Sequence, residues 1–347
     1  MLLALLLAVF ALCLYGVRIR FSGFHDDFLA KYRTDAIKGV FILLIVLSHS
    51  LGYIRESGYT FSAFGDSCFE TFFNMISQLV VVMFLFYSGF GVAESFKKKG
   101  TSYVQAFPKR RLLTTLLNFD VAVIAFIILS MSLGLSVSLK DGLLSLLAWE
   151  SVGNSNWYIF VILSCYLFSY VVMRLPLQRQ EYRLSLLFVL CVMTIVVLSK
   201  CKEFWWYDTI LSYPLGFLFS TYKENFVALF KKYYWAGGGL LLSLFIVFYF
   251  CPNGSLHLPF NVVSMLFALL CVLLTMKVRI SCPALQWCGS HLFPIYIYMR
   301  VPMMLIEHRH PNLISTQPVI FILISLLVTL AIAGLYKFWQ IKLYSLS

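Results

Sequence analysis

The sequence predicts an all-α fold: a polytopic integral membrane bundle of about ten or eleven transmembrane helices. Three observations carry this. The 347 residues are 61% hydrophobic and only 12% charged, about half the charge fraction of ordinary soluble domains. The mean hydropathy is +0.87. Apolar runs recur along the whole chain, many of them near the roughly 20 residues that one bilayer crossing needs.

Taken in order, spans are predicted near 2–17, 36–54, 74–95, 112–136, 156–174, 183–200, 207–221, 235–250, 258–276, 291–306 and 318–338. The first and the 207–221 segment are short. "GLLSLLAW" (142–149) is too short to cross and reads as re-entrant or interfacial. Every connection is short, with no internal repeat and no low-complexity tract. Residues 1–30 therefore read as an added N-terminal helix with its connection, and 31–347 as one membrane domain. The first stretch lacks the basic start and small-residue cleavage site of a signal peptide, which favours a retained helix.

The net charge of +12 finds its explanation in its distribution, and nucleic-acid binding is not needed for it. With eleven spans, Arg18, Arg20, Lys97–Lys99, Lys109–Arg111, Lys231, Lys232, Arg279 and most other cations fall on one side. Only Arg55, Lys140, Lys200, Lys202, Arg300 and Arg309 fall on the other. Basic loops mark the cytoplasmic side, so this bias predicts a multi-pass protein of the cell membrane, its N-terminus outside and its C-terminus cytoplasmic. Cys68, Cys201 and Cys251 fall on the predicted outer side, where a disulfide is open to them, and no Cys or His spacing resembles a metal site.

"TDAIKGVFILLIVLSHS" (34–50) places Asp35, Lys38 and His49 on one apolar segment. Lys38 and His49 are eleven residues apart, about 20° from three full turns, so they share a helix face about 16 Å apart along the axis. Asp35 lies one turn before Lys38 and can pair with it. Two readings compete. In one, Asp35 and Lys38 are interfacial snorkelling groups, Asp35 or Thr34 caps the helix, and His49 is a packing residue. In the other, His49 is a general base in a water-accessible cavity and Lys38 holds an anionic group. The second fits either a transfer reaction fed from the cytoplasm or a proton-coupled transporter.

The order of motifs adds to this. "DAIKGVFILLIVLSHS" resembles the opening motif of the membrane-bound acyltransferase-3 family: a basic residue, ten intervening positions and a histidine, with Lys38 where many members have Arg. "MFLFYSGFGVAESFKKK" (83–99), "FPKRRLLTTL" (107–116), "NSNWYIFVILSCYL" (154–167), "YPLGFLFSTYK" (213–223) and "CGSHLFPIYIYMR" (288–300) resemble further family blocks in the family's order. Thr114 stands where many members repeat an arginine. The resemblance covers about residues 31–338. It implies transfer of an acyl group, commonly acetyl, to a carbohydrate or lipid-linked hydroxyl. The family usually has ten helices with a cytoplasmic N-terminus, so the 2–17 segment would precede that core.

On this reading His49 is the catalytic base, with Lys38 an electrostatic partner and Asp35 its orienting group. Arg110 and Arg111 are candidates for the phosphates of acyl-CoA, against the plainer reading of a membrane anchor, which also covers Lys97–Lys99. Ser88, beside Gly89 near the cytoplasmic end of its span, would line a pantetheine passage or simply allow close helix packing. Asn156, Trp157 and Glu150 would bind the acceptor, or Trp157 would belong to the interfacial aromatic belt. Tyr296 and Arg300 belong to the same candidate acceptor set, with Glu307, seven residues on, facing Arg300. The expected function is O-acyl transfer from acetyl-CoA or another acyl-CoA, a co-substrate with no permanently bound cofactor, to a surface polysaccharide or its lipid-linked precursor. The alternative is a transporter or flippase using His49 and Arg300, and a non-enzymatic scaffold is the third.

Overall fold

The computed structural model describes residues 1–342. Helix α1 (Leu3–Leu14) leads through a two-residue strand β1 (Arg18–Ile19) into α2 (Lys31–Glu56) and α3 (Phe64–Ile76). Helix α4 (Leu79–Phe107) continues through a π-helical segment (Pro108–Leu113) into α5 (Thr114–Ser132), followed by a short α6 (Leu139–Leu146). Then come α7 (Trp157–Arg174), α8 (Gln180–Leu198), α9 (Ser212–Thr221), α10 (Lys223–Lys232), α11 (Tyr234–Tyr249) and α12 (Leu258–Lys277). Strand β2 (Val278–Arg279) pairs antiparallel with β1. The chain closes with α13 (Pro283–Ser290), α14 (Leu292–Tyr298), α15 (Arg300–Arg309), α16 (Pro311–Thr316) and α17 (Pro318–Leu335).

Six helical stretches among the described residues are long and apolar enough to cross a membrane. One of them, Leu79–Ser132, is 54 residues long, about 80 Å if it were straight. It cannot be straight and stay within the bundle. Gly100, at φ +53°, breaks it in a conformation that side-chain-bearing residues avoid, and α5 runs back. α1 and α11 are shorter apolar helices.

Long-range hydrogen bonds sort the connections onto two ends. At the basic end Arg18 pairs with Arg279, Lys231 binds Asp26 at 3.0 Å, Lys97 donates to the Ser220 carbonyl and Asn118 binds the Ile341 backbone. At the far end Lys202 donates to the Trp149 carbonyl, Tyr207 to Ser255, Tyr249 to Met75 and Arg309 to Ser132. Alternation of the helices between these ends follows. The apolar surface that remains, including Val197 on α8, Leu240 on α11 and Leu327 on α17, is exposed, as a lipid-facing surface must be.

Glycine decides the closest contacts. A Cβ on Gly39 would lie 1.9 Å from the Leu285 carbonyl oxygen, and one on Gly289 would lie 1.8 Å from that of Asp35. Gly89 and Gly216 stand in the same relation to Tyr213 and Phe86 at 2.0 Å. α2 therefore meets α13, and α4 meets α9, backbone to backbone. Small residues permit such approach in lipid, where no hydrophobic force separates helix from tail.

Three features differ from the run-length reading. The span expected at 74–95 begins at Leu79, because Ser77 at φ +42° ends the separate helix α3. The span expected at 291–306 is two pieces, α14 and α15: Pro294 and Pro302 lack the amides that would bond the carbonyls four residues back, and the helix is interrupted at His291 and Met299. All nine cysteines are free thiols, so Cys68, Cys201 and Cys251 form no disulfide.

Candidate functional site

The basic end of α2 is a closed charge network. Asp35 accepts from Lys31 at 2.7 Å and forms an ion pair with Lys38 at 2.6 Å, one turn to either side. Arg33 is buried and binds Asp27, its Nε at 3.0 Å. That guanidinium holds the Asp27 carboxyl well below the usual carboxylate range. Lys38 is thus tied to Asp35, three turns from His49.

His49, half-buried, lines a cavity of about 300 Å³ in the far half of the bundle. Four other segments complete its wall. Gln78 comes from the turn before α4, and Arg300 from the break between α14 and α15. The 151–157 loop contributes Asn154, Ser155, Asn156 and Trp157, and Trp205 and Trp206 close the side. Arg300 is held from two directions. Its Nε donates to the Tyr53 hydroxyl at 3.3 Å and its Nη1 to the Asn154 carbonyl at 3.4 Å, with the guanidinium 5.5 Å from the Tyr53 ring centre. Tyr53 is one helical turn beyond His49, so one face of α2 carries both the histidine and the seat of the arginine. Glu307, the partner expected for Arg300, instead pairs with His308 at 3.6 Å. Arg300 opens α15, and its guanidinium reaches α2 at Tyr53.

The loop feeding this cavity is ordered by its own polar groups. Ser151 donates to the Asn154 carbonyl at 2.7 Å, and the Asn154 Oδ1 accepts from the Val152 amide at 3.0 Å. Gly153 sits at φ +101°, and Asn156 reaches back to the Ala148 carbonyl at 3.1 Å. Glu150 lies in a neighbouring groove of about 640 Å³ that shares Ser151, Asn156, Trp205 and Trp206 with the His49 cavity. There it pairs with Lys202 at 3.1 Å, whose ammonium sits 4.4 and 4.6 Å from the rings of Trp149 and Trp206. That cation clamps the 199–206 loop onto the 147–156 loop.

The remaining candidates lie elsewhere. Tyr296 is buried, its ring 5.4 Å from Tyr158, and its hydroxyl has no partner. Ser88 faces the Tyr158 hydroxyl; because α4 starts only at Leu79 and runs on to Gly100, Ser88 lies at mid-depth and not near the basic end. Arg110 and Arg111 line a cavity of about 890 Å³ at the basic end, with Lys99, Lys337 and His291 on its other walls. Arg111 turns inward against Tyr166, Tyr103 and Tyr213. The structure thus gathers His49, Asn156, Trp157 and Arg300 at one cavity and the two arginines at another. Asn154, Ser155, Gln78, Tyr53, Trp205 and Trp206 were not singled out from sequence. The Trp-Trp pair in a polar loop was the one signal available for them.

A chain of apolar helices crossing and recrossing, with a histidine and an arginine held at an internal polar cavity, defines a multi-pass membrane protein. Residues 31–337 match the family described as an acyltransferase domain, so the chain belongs to the acyltransferase-3 family and is a membrane acyltransferase. Helix α1 precedes the matched segment. No curated protein and no solved structure matches the chain.

Proposed function

We propose that this acyltransferase moves an acetyl or other small acyl group from acyl-CoA to a hydroxyl of a surface polysaccharide or its lipid-linked precursor. The observation that carries the reading is the convergence of His49, Arg300, Asn156 and Trp157, from separate segments, on one cavity beside an aromatic groove. A neutral imidazole there takes the proton of the acceptor hydroxyl as its oxygen attacks the acyl carbonyl carbon. Collapse of the tetrahedral intermediate breaks the bond to sulfur, and the imidazolium returns the proton to the leaving thiolate. Asn156 and the tryptophans suit a sugar, through hydrogen bonds and flat apolar faces.

The donor enters at the other end. Arg110, Arg111 and Lys99 bring cationic donors to a cavity large enough for a nucleotide, and guanidinium groups bind phosphate with paired hydrogen bonds. The clustering of Lys and Arg at that end supports a cytoplasmic location for it, and with it an outside N-terminus and an inside C-terminus. Asp35 and Lys38 hold the cytoplasmic end of α2 and so set the depth of His49.

The test is transfer of labelled acetyl from acetyl-CoA into glycan and lipid fractions of membranes carrying wild type or His49→Ala, matched for folded protein. Label entering product with wild type alone is the expected result. Equal transfer by both would remove His49 from the mechanism.

A further inference from the structure

We infer that Asn154 is a further catalytic residue, its Nδ2 amide donating to the oxyanion of the acyl-transfer intermediate with the Ser155 hydroxyl beside it. The inference rests on the proposed reaction at His49. It starts from a deficit in hydrogen bonding. Asn154 and Ser155 both line the His49 cavity. Both are buried, Asn154 with 1% of its surface exposed and Ser155 with 4%. Yet Asn154 Nδ2 and Ser155 Oγ have no hydrogen-bond partner. Buried polar groups left without a partner are uncommon and call for a reason.

The orientation of the Asn154 amide is set by the loop. Its Oδ1 accepts from the Val152 N–H at 3.0 Å, a bond the amide could not accept if its ends were exchanged. Its backbone carbonyl is engaged as well, by Ser151 Oγ at 2.7 Å and by Arg300 Nη1 at 3.4 Å. Every acceptor on this residue is used to fix it, and the two N–H donors are what remains. A donor locked in place before substrate arrives needs no reorganisation when negative charge develops on an acyl oxygen. His49 across the same cavity handles the proton, so base and oxyanion donors face one reaction centre from α2 and from the loop.

In the step, the acceptor oxygen bonds to the thioester carbonyl carbon while His49 takes the hydroxyl proton. The carbonyl π pair moves onto oxygen, where Asn154 Nδ2–H and Ser155 Oγ–H stabilise it. As that pair returns, the carbon–sulfur bond breaks and the thiolate takes the proton from His49. Arg300, bound to the Asn154 carbonyl, is a positioning residue for this donor.

The experiment compares wild type, Asn154→Asp, Ser155→Ala and His49→Ala in membranes, with labelled acetyl-CoA as probe and folded protein matched by detergent-resistant, size-exclusion-homogeneous yield. Asn154→Asp keeps the Oδ1 that holds Val152 and puts an anionic acceptor oxygen where the donor stood. Its kcat is expected to fall about 100-fold or more, the loss typical of one oxyanion donor, with KM for acetyl-CoA within about twofold of wild type. Should Asn154→Asp fail to fold, Ser155→Ala decides alone, since Ser155 Oγ holds nothing in place; about a tenfold fall in kcat is expected from it. Wild-type kcat in the folded Asn154 variant, or in Ser155→Ala where only that one folds, overturns the inference; if His49→Ala is then inactive, the His49 reading stands. Wild-type kcat in all three variants overturns both.

Discussion

Gly39→Ala probes how closely the site depends on helix packing. The new Cβ would stand 1.9 Å from the Leu285 carbonyl oxygen and 2.6 Å from its carbon. Both are backbone atoms of α13 and cannot rotate away. Reaching an ordinary contact of about 3.4 Å requires α2 and α13 to separate by about 1.5 Å. α13 leads through α14 to Arg300, whose Nε lies 3.3 Å from the Tyr53 hydroxyl on α2. A comparable shift at Arg300 would open that distance beyond hydrogen-bonding range. Overpacking a well-filled contact costs about 1–3 kcal/mol, and a misplacement of about 1 Å costs about 100-fold in rate. The expected outcome is a lower thermal midpoint in detergent and acetyl transfer reduced to about 1% at equal folded amount. Gly52→Ala is the control, since it lies on the same helix with nothing within 4 Å of its Cβ and should leave both unchanged or raise stability slightly. Wild-type stability and transfer in Gly39→Ala would refute the claim that this backbone contact positions Arg300.

Two further predictions concern the basic end. Arg111→Gln should raise KM for acetyl-CoA about tenfold with kcat little changed, as loss of one phosphate contact worth about 1.4 kcal/mol would; an unchanged KM in steady-state kinetics would show that the arginine does not hold the donor. Asp27→Asn should lower stability by about 1 kcal/mol, because it leaves the buried Arg33 guanidinium short of a partner while solvent screening limits the loss. The Asp27 pKa is depressed in the folded protein, so its contribution is complete above the unfolded carboxylate value of about 3.9 and is lost as pH falls below it. Thermal unfolding of wild type and Asp27→Asn should therefore converge at acid pH, and a gap that persists there would assign the effect to something other than this ion pair.

The membrane bundle was legible in the sequence because run length and charge bias report on the bilayer directly. About 20 apolar residues must cross it and basic loops collect on one side, so the alternation of α2, α4, α5, α7, α8, α12 and α17 could be read off. His49 was legible too, as a titratable group on an apolar segment is costly wherever it sits, and its eleven-residue offset from Lys38 is a matter of helix period.

What only the tertiary structure decided is which groups meet His49. Gln78, Asn154, Trp206 and Arg300 are separated by tens to hundreds of residues, and no periodicity links them. The partner of Arg300 could not be found by counting along its helix. Arg300 and Glu307 share α15, yet the guanidinium reaches across to Tyr53 and the Asn154 carbonyl while Glu307 pairs with His308. The Asn154 amide is the sharpest case. In sequence it is one polar residue among several in "SVGNSNW". Its two donors stand out only when each acceptor around it has been assigned, because hydrogen-bond satisfaction is a property of the assembled structure and not of the chain.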